Sequence, residues 1–282
     1  LQYCDFAYWQ RTHQEAAVFE QQLAYWQEAL ARTSMVLELP TDRPRPTIQT
    51  SNGRHYTFQL PAELTNAIKK LSIEEQSTLF MLLLAAFQVL LARYSGQDDF
   101  LVGTPIAGRN RADLEDIIGY FLNTLVLRAD LSKNPTFRDF LGQVRQTALN
   151  AYANQDIPVE RLIDELNPVR DMSRSPLFQV VFALQNMPSS NLDLPGLTVR
   201  QLEGYNETAK IDLSLYIAEH RGRLHGIFEY NSDLFEEDTI RRMAEHYEQV
   251  LRSAVSNPDR PVRALSILPI SERRQLLVNW NN

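Results

Sequence analysis

The stretch "RDMSRSPLFQVVFALQN", residues 170–186, sets two arginines, an aspartate and two serines directly against an apolar run that only Gln179 and Gln185 interrupt. Within it, "LFQVVFAL" is apolar on both alternating faces, the pattern of a strand covered on both sides, so it predicts a central strand. Upstream, "GRHYTFQLP" alternates Tyr56, Phe58 and Leu60 against polar neighbours as a half-buried strand does. "FLVGTPIAGRN" reads as a short strand running into a Gly-rich loop, and "ADLEDIIGYFLNTLVLRADL" as a short helix followed by an apolar strand from Phe121 to Leu131. Downstream, "GLTVRQL", "KIDLSLYIAEH" and "LHGIFEYNSDLF" are further strand candidates, the last two joined by "RGRL", a hairpin turn flanked by His220 and His225.

Helices are interleaved with these strands. The opening 31 residues hold no Gly or Pro and read as helix almost throughout, with Asp5 placed to cap the start. "PAELTNAIKKLSIEEQ" carries Pro61 at the first helical position. "LFMLLLAAFQVLLARY" (79–94) is apolar all round, which predicts a helix buried on every side and capped by Gly96. It falls short of the roughly 20 apolar residues that span a bilayer, and no signal-peptide pattern precedes it. "TFRDFLGQVRQTALNAYANQ", "PVERLIDEL" and "EEDTIRRMAEHYEQVLRSAV" are amphipathic helices, the last with an acidic cap at 236–238. "LELPTDRPRP" (37–46), with three prolines, is an extended crossing linker. The intermixing predicts an α/β layered fold, and the lack of strict βαβ alternation favours a mixed sheet.

Composition narrows the function classes. Of 282 residues, 44% are hydrophobic and 22% charged, enough for a packed core. A net charge of −7 argues against a nucleic-acid partner. Cys4 is the only cysteine, which leaves no disulfide framework and no thiolate zinc site and points to a reducing cytoplasm. The five histidines form no metal-ligand pair, and His246 on the last helix reads as a surface or half-buried residue. There is no nucleophile elbow, Walker loop or dinucleotide fingerprint, and the adjacent carboxylates Asp98–Asp99 and Glu236–Glu237 fall on turns. "GTPIAGRNR" reads as a structural loop. On chemistry alone no catalytic constellation is present.

Four segments in order change this reading: "YCDFAYWQ" (Tyr3–Gln10), "IGYFLNTLVLR" (Ile118–Arg128), "NQDIPVERL" (Asn154–Leu162) and "RDMSRSPLFQV" (Arg170–Val180). Each resembles a signature of the condensation domains of nonribosomal peptide synthetases, and the spacers match along nearly the whole chain. The Ser-Arg-x-Pro-Leu core resembles the subtype that joins L-configured donors and acceptors. The resemblance implies an α/β, chloramphenicol-acetyltransferase-like mixed-sheet sandwich, one lobe of a two-lobe V-shaped domain with a tunnel between the lobes. The family's His-His-x-x-x-Asp-Gly signature, whose second His positions or deprotonates the acceptor amine, is absent: no two histidines are adjacent and no Asp precedes Gly. That motif lies upstream of the first segment in the family. The resemblance therefore implies the end of an N-terminal lobe and inter-lobe helix at 1–36, a C-terminal lobe at 37–265, and a linker toward an adenylation domain at 266–282. Within the lobe, 187–207 resembles a latch that crosses to the other lobe.

The same resemblance implies partners: the upstream lobe, donor and acceptor carrier proteins bearing phosphopantetheine arms, and a downstream adenylation domain, with no cofactor bound by this chain and no nucleic acid or membrane. Arg170, Asp171 and Arg174 become scaffold at the lobe interface. Asn123 has two open readings, a tunnel-facing group that hydrogen-bonds substrate or the phosphopantetheine arm, or a satisfied amide that holds a loop. Asn154, Gln155 and Asp156 are expected to cap the helix at "PVERL". Arg128, with the loop arginines Arg109 and Arg111, is a candidate for carrier-protein acid or phosphate. Two alternatives stand beside amide formation: a docking module for carrier or adenylation domains, and a stand-alone acyltransferase of the same superfold, which would need a catalytic His this chain lacks.

Overall fold

A computed structural model of the chain describes residues 1–13, 16–109, 111–185 and 206–279, without the side chains at 13 and 16. Its centre is one six-stranded mixed sheet of β1 (Gly53–Gln59), β2 (Asp99–Ile106), β3 (Asn123–Asp130), β4 (Val180–Gln185), β5 (Leu213–His220) and β6 (Arg223–Asn231), in the order β1-β6-β5-β4-β2-β3. The doubly apolar β4 lies inside the sheet, parallel to both β2 and β5, and the other neighbours pair antiparallel. Its first four residues are buried, as the sequence pattern requires. β5 turns into β6 through Arg221 and Gly222 alone, both at positive φ (50° and 74°), the twist a two-residue hairpin demands.

A helix layer packs on this sheet: α3 (Ala62–Glu74), α4 (Leu79–Ser95), α5 (Phe137–Ala153) and α7 (Glu237–Ser256). α4 is its axis. Every residue from Met81 to Leu91 is buried, because α3, α5 and α7 flank it and β4 lies beneath. Thr78 caps its start by accepting the Met81 N–H, and Gly96 ends it at φ 71°. Phe87 packs against Phe182 of β4, Phe228 of β6 and Tyr247 of α7, so one ring joins both layers. Among the described residues no single helix is long and apolar enough to cross a membrane.

The opening helix divides into α1 (Tyr3–His13) and α2 (Ala16–Ala29), with 14–15 outside the described residues. Asp5 does not occupy the cap position. It sits in the first turn and its carboxylate reaches back to accept the Gln2 N–H at 2.8 Å. Pro61 is likewise one residue before the first helical position. Trp26 and Leu30 of α2 and its end share the main core with residues from Leu37 onward. The expected strand at "GLTVRQL" and residues 187–205 of the latch-like crossing expected at 187–207 lie outside the described residues.

The proline-rich linker is extended, and polar side chains hold it. Gln179 Oε1 accepts the Leu37 N–H at 2.7 Å, and its Nε2 donates to the carbonyls of Ser175 (2.7 Å) and Met35 (3.1 Å). Gln97 does the same one residue on, accepting the Glu38 N–H at 2.7 Å and donating to the Val36 carbonyl at 2.9 Å. Asp42 accepts from the Glu236 N–H and the Thr239 hydroxyl, each at 2.8 Å. The start of α7 is thus bound by a carboxylate from the linker, whereas Glu236, at the cap position, makes no side-chain cap hydrogen bond. Arg45 forks onto Asp212 at the head of β5 and donates to the Ser173 carbonyl at 3.2 Å.

The Asp212 side chain is 3% exposed and that of Arg45 16%, so the pair is costly to break from one side. Asp212→Ala is expected to destabilise the chain by about 3–5 kcal/mol in urea denaturation, and the double change Arg45→Met with Asp212→Leu by less. A single-variant loss below about 1 kcal/mol, as for an exposed ion pair, contradicts this placement.

Candidate functional site

Three of the four signature segments meet at one cleft of about 500 Å³. α1 contributes Tyr3, Phe6 and Trp9, the loop before β3 contributes Tyr120–Asn123, and the approach to α6 (Val159–Leu166) contributes Gln155, Asp156 and Pro158. Val18, Phe19 and Gln22 of α2 close it. No histidine, serine or cysteine lies among the described residues that line it.

The alternation in "IGYFLN" builds the wall. Ile117 and Phe121 turn inward to a small cluster with Leu114 and Phe6, while Ile118, Tyr120 and Leu122 stand exposed. Phe121 meets Tyr3 edge-on at 5.2 Å and Phe6 at 4.8 Å. Two glycines permit this contact. A Cβ on Gly119 would sit 2.3 Å from the Tyr3 ring, and Gly108 takes φ +63° with its missing Cβ against the Phe121 carbonyl oxygen. Arg109 lies 4.3 Å over the Phe121 ring and donates to the carbonyls of Leu114 and Glu115. Arg111 lies 4.9 Å from the Trp9 ring and forks onto Asp113 at 2.6 and 3.0 Å. Both loop arginines are therefore engaged within their own loop and with the aromatic wall.

Asn123 fixes the rear of the cleft. Its Nδ2 donates to the carbonyls of Gln155 (3.0 Å) and Ile157 (2.7 Å), and its Oδ1 accepts the N–H groups of Thr124 (2.8 Å) and Val159 (3.1 Å). Two donors and two acceptor sites are the whole capacity of the amide. The Val159 N–H opens α6, so the helix start that was expected to be capped by Asn154, Gln155 or Asp156 is bound by Asn123. Those three residues act elsewhere. Asn154 ends α5, donates to the Asn150 carbonyl at 2.8 Å, and its own carbonyl accepts the Trp26 indole N–H at 2.8 Å. Gln155 donates to the Tyr152 carbonyl at 2.8 Å. Asp156 exchanges two hydrogen bonds with Gln22 of α2, at 2.9 and 3.1 Å.

Arg128 is not in this cleft. Five residues along β3 from Asn123, it points to the opposite face and lines a separate cavity of about 520 Å³ with Tyr25, Glu28 and α5. Its guanidinium forks onto Asp99 at 2.7 and 2.9 Å, and that hydrogen-bonded carboxylate raises its pKa further. The polar knot is also apart from the cleft. Arg174 donates to Glu38 at 2.8 Å and lies 2.9 Å from Asp171, binding the knot to the linker. Hydrogen bonds from the hydroxyl and N–H of Ser173 hold the Asp171 carboxyl below the usual carboxylate range, with Arg174 adding to the effect. Arg170 is exposed.

Sequence reading did not anticipate Arg45–Asp212 or the amides of Gln22 and Gln97. Gln179 gave a signal, as the polar interruption of an apolar strand. His246 is buried, with Tyr94 at Nδ1 and Glu272 at Nε2, not on the surface. Its place in the stripe Met243, His246, Tyr247, Val250 was the available signal.

Comparison with known proteins agrees with this architecture. The family model described as "Condensation domain" matches residues 1–277. A linear gramicidin synthase of Brevibacillus parabrevis is 51% identical over 284 aligned residues, covering 100% of this chain and 4% of that protein. Gramicidin S synthase 2 of Brevibacillus brevis is 41% identical over 282, covering 100% of this chain and 6% of that protein. The chain thus spans only a small part of the length of these relatives. Among solved structures, the X-domain from teicoplanin biosynthesis superposes with a TM-score of 0.86 at 27% identity, covering 95% of this chain and 62% of that one. The four-domain nonribosomal peptide synthetase holo-AB3403, bound to AMP and glycine, gives 0.84 at 27%, covering 90% and 20%. The mixed sheet with its helix layer is the chloramphenicol-acetyltransferase-like fold of these domains.

Because the Gly119 Cβ position coincides with the Tyr3 ring, Gly119→Ala is expected to lift α1 off the loop. Hydrogen exchange over residues 3–13 should quicken roughly tenfold, with α4 and α7 unchanged. Unaltered exchange in α1 would show that the glycine contact does not hold it.

Proposed function

The chain belongs to the condensation-domain family, and on that premise we propose that it supplies the C-terminal lobe, with the inter-lobe helix, of a domain that forms amide bonds in a nonribosomal peptide synthetase. The observation that carries this reading is the convergence of three family signature segments on one cleft, in a chain matched by the family model along residues 1–277. The reaction joins two aminoacyl or peptidyl groups tethered to carrier proteins, in the L-donor, L-acceptor mode that the Ser-Arg-x-Pro-Leu core resembles. The acceptor amine attacks the donor thioester carbonyl, the carbon–nitrogen bond forms, the carbon–sulfur bond breaks, and the donor phosphopantetheine leaves as a thiol. The proton the amine loses ends on the departing sulfur, and the His-His-x-x-x-Asp-Gly run, whose second His would position or deprotonate the amine, is absent from this sequence.

The chain's part is positional. The aromatic side of the cleft shields the reacting groups from water, and Asn123 fixes the backbone at 155–159 against which a tethered substrate lies. Arg170, Asp171 and Arg174 hold the linker and the rim that meets the N-terminal lobe. Residues 266–282 lead toward an adenylation domain, and the compartment is the cytoplasm. A docking module that binds carrier or adenylation domains without chemistry is the second reading, favoured by the lack of histidine, serine or cysteine among the described lining residues.

The purified 282-residue chain, given donor-loaded and acceptor-loaded carrier proteins, is expected to yield no amide product by mass spectrometry. A longer polypeptide that includes an upstream His-His-x-x-x-Asp-Gly run should yield it. Product from the chain alone contradicts the proposal, and inactivity of the longer polypeptide favours the docking module.

A further inference from the structure

His246 is a buried histidine that the cleft does not use. It lies on the inner face of α7 beside Met243, Tyr247 and Val250, and its ring nitrogens are each engaged at 2.6 Å from a different helix. Tyr94 Oη, at the end of α4, faces Nδ1. Glu272 Oε2, on α8 (Ile270–Arg274), faces Nε2. A carboxylate only accepts, so Nε2 carries the hydrogen, and in the neutral ring Nδ1 then accepts from the Tyr94 hydroxyl. Burial pushes the Tyr94 phenol far above its ordinary range, outweighing the opposing Arg242 charge, while Glu272 and Glu245 push it the same way. The hydroxyl thus keeps its proton and holds the ring in the tautomer that donates to α8.

Ahead of α8 the chain is tied to the helix layer through its backbone. Arg93 of α4 donates to the carbonyls of Arg263 (2.7 Å) and Leu265 (3.3 Å), and the Ser266 N–H donates to Ser253 Oγ at 3.1 Å. Ile267 packs, partly buried, on the main core. Beyond that point no residue of α8, nor of the turn Gln275–Asn279, is buried, and Ile270 is 88% exposed. An exposed five-residue helix cannot stand by its own backbone hydrogen bonds, because helix nucleation is unfavourable at that length. The Glu272 carboxylate reaches the buried His246 imidazole beneath it and ties the short helix to the helix layer.

We propose that the Tyr94–His246–Glu272 relay is a clamp that docks residues 268–279 on the helix layer, and that this arm swings free as one piece when the relay is broken, leaving sheet and helix layer intact. The clamp makes the seat of α8 depend on a hydroxyl that α8 does not touch. Without the Tyr94 hydroxyl, the other tautomer becomes accessible and turns the Nε2 lone pair toward the Glu272 carboxylate. This inference is independent of the amide-forming reading.

Trypsin supplies the test, since Arg273 and Arg274 lie in α8 and are cut only when the arm opens. With the full 282-residue chain and mass-spectrometric readout, Glu272→Ala is expected to quicken cleavage there roughly tenfold, the scale of one hydrogen bond to a charged group. Tyr94→Phe should quicken it several-fold, and Glu272→Gln, which keeps an acceptor, should stay close to wild type. Unchanged cleavage in Glu272→Ala or in Tyr94→Phe overturns the clamp. So does equally faster cleavage at Arg252 inside α7, which would mean that the variants unfold the core.

Discussion

One side-chain amide organises the candidate site. Asn123 opens β3, yet all four of its hydrogen bonds go to backbone, three of them to the turn that enters α6. An amide saturated in this way is a brace: any ligand that bonded it would have to displace a carbonyl or an N–H of the protein. Because the turn at 154–158 in turn binds α2 through Gln22 and Trp26, the brace runs from the sheet through the α6 approach to the helix that roofs the cleft. The aromatic seat of α1 on Phe121 then completes a wall whose shape follows from contacts made elsewhere.

The same device recurs outside the cleft. Segments with no ladder of their own must still satisfy their N–H and carbonyl groups, and in this chain glutamine and asparagine side chains do so. Gln179 and Gln97 take consecutive N–H groups of the linker, Asn231 donates to the Thr50 carbonyl, and Asp42 receives the start of α7. The proline-rich path from 37 to 52 can therefore cross the molecule without regular structure. Charge pairing has a narrower part. Arg45–Asp212 and Arg174–Glu38 join the linker to β5 and to the polar knot, fixing where the apolar layers are set.

Periodicity made much of the fold legible. The doubly apolar β4, the all-round burial of α4 and the Gly96 cap each follow from local pattern, and local pattern governs them because their neighbours lie on both sides. Capping was misread where the partner came from afar. Asp42 binds the start of α7 across 194 residues and Asn123 binds that of α6 across 36, distances no window of sequence reveals. His246 was misjudged for the same reason, as its burial depends on α4 and α8 closing over α7. The site itself was legible through the order of the signature segments, since the cleft joins residues that chemistry alone would not have grouped. The two channel candidates share a strand, but an odd spacing puts Asn123 and Arg128 on opposite faces.

Hydrogen exchange across residues 154–162 in Asn123→Ala, set beside the wild-type chain, tests most directly whether Asn123 braces the cleft. Loss of the brace should release the N–H of Val159 and its neighbours, quickening exchange there roughly tenfold while β4 and α4 stay protected. Wild-type protection over 154–162, with amide formation nevertheless lost when the same change is made in a complete domain, would make Asn123 a ligand for substrate and contradict its role as brace.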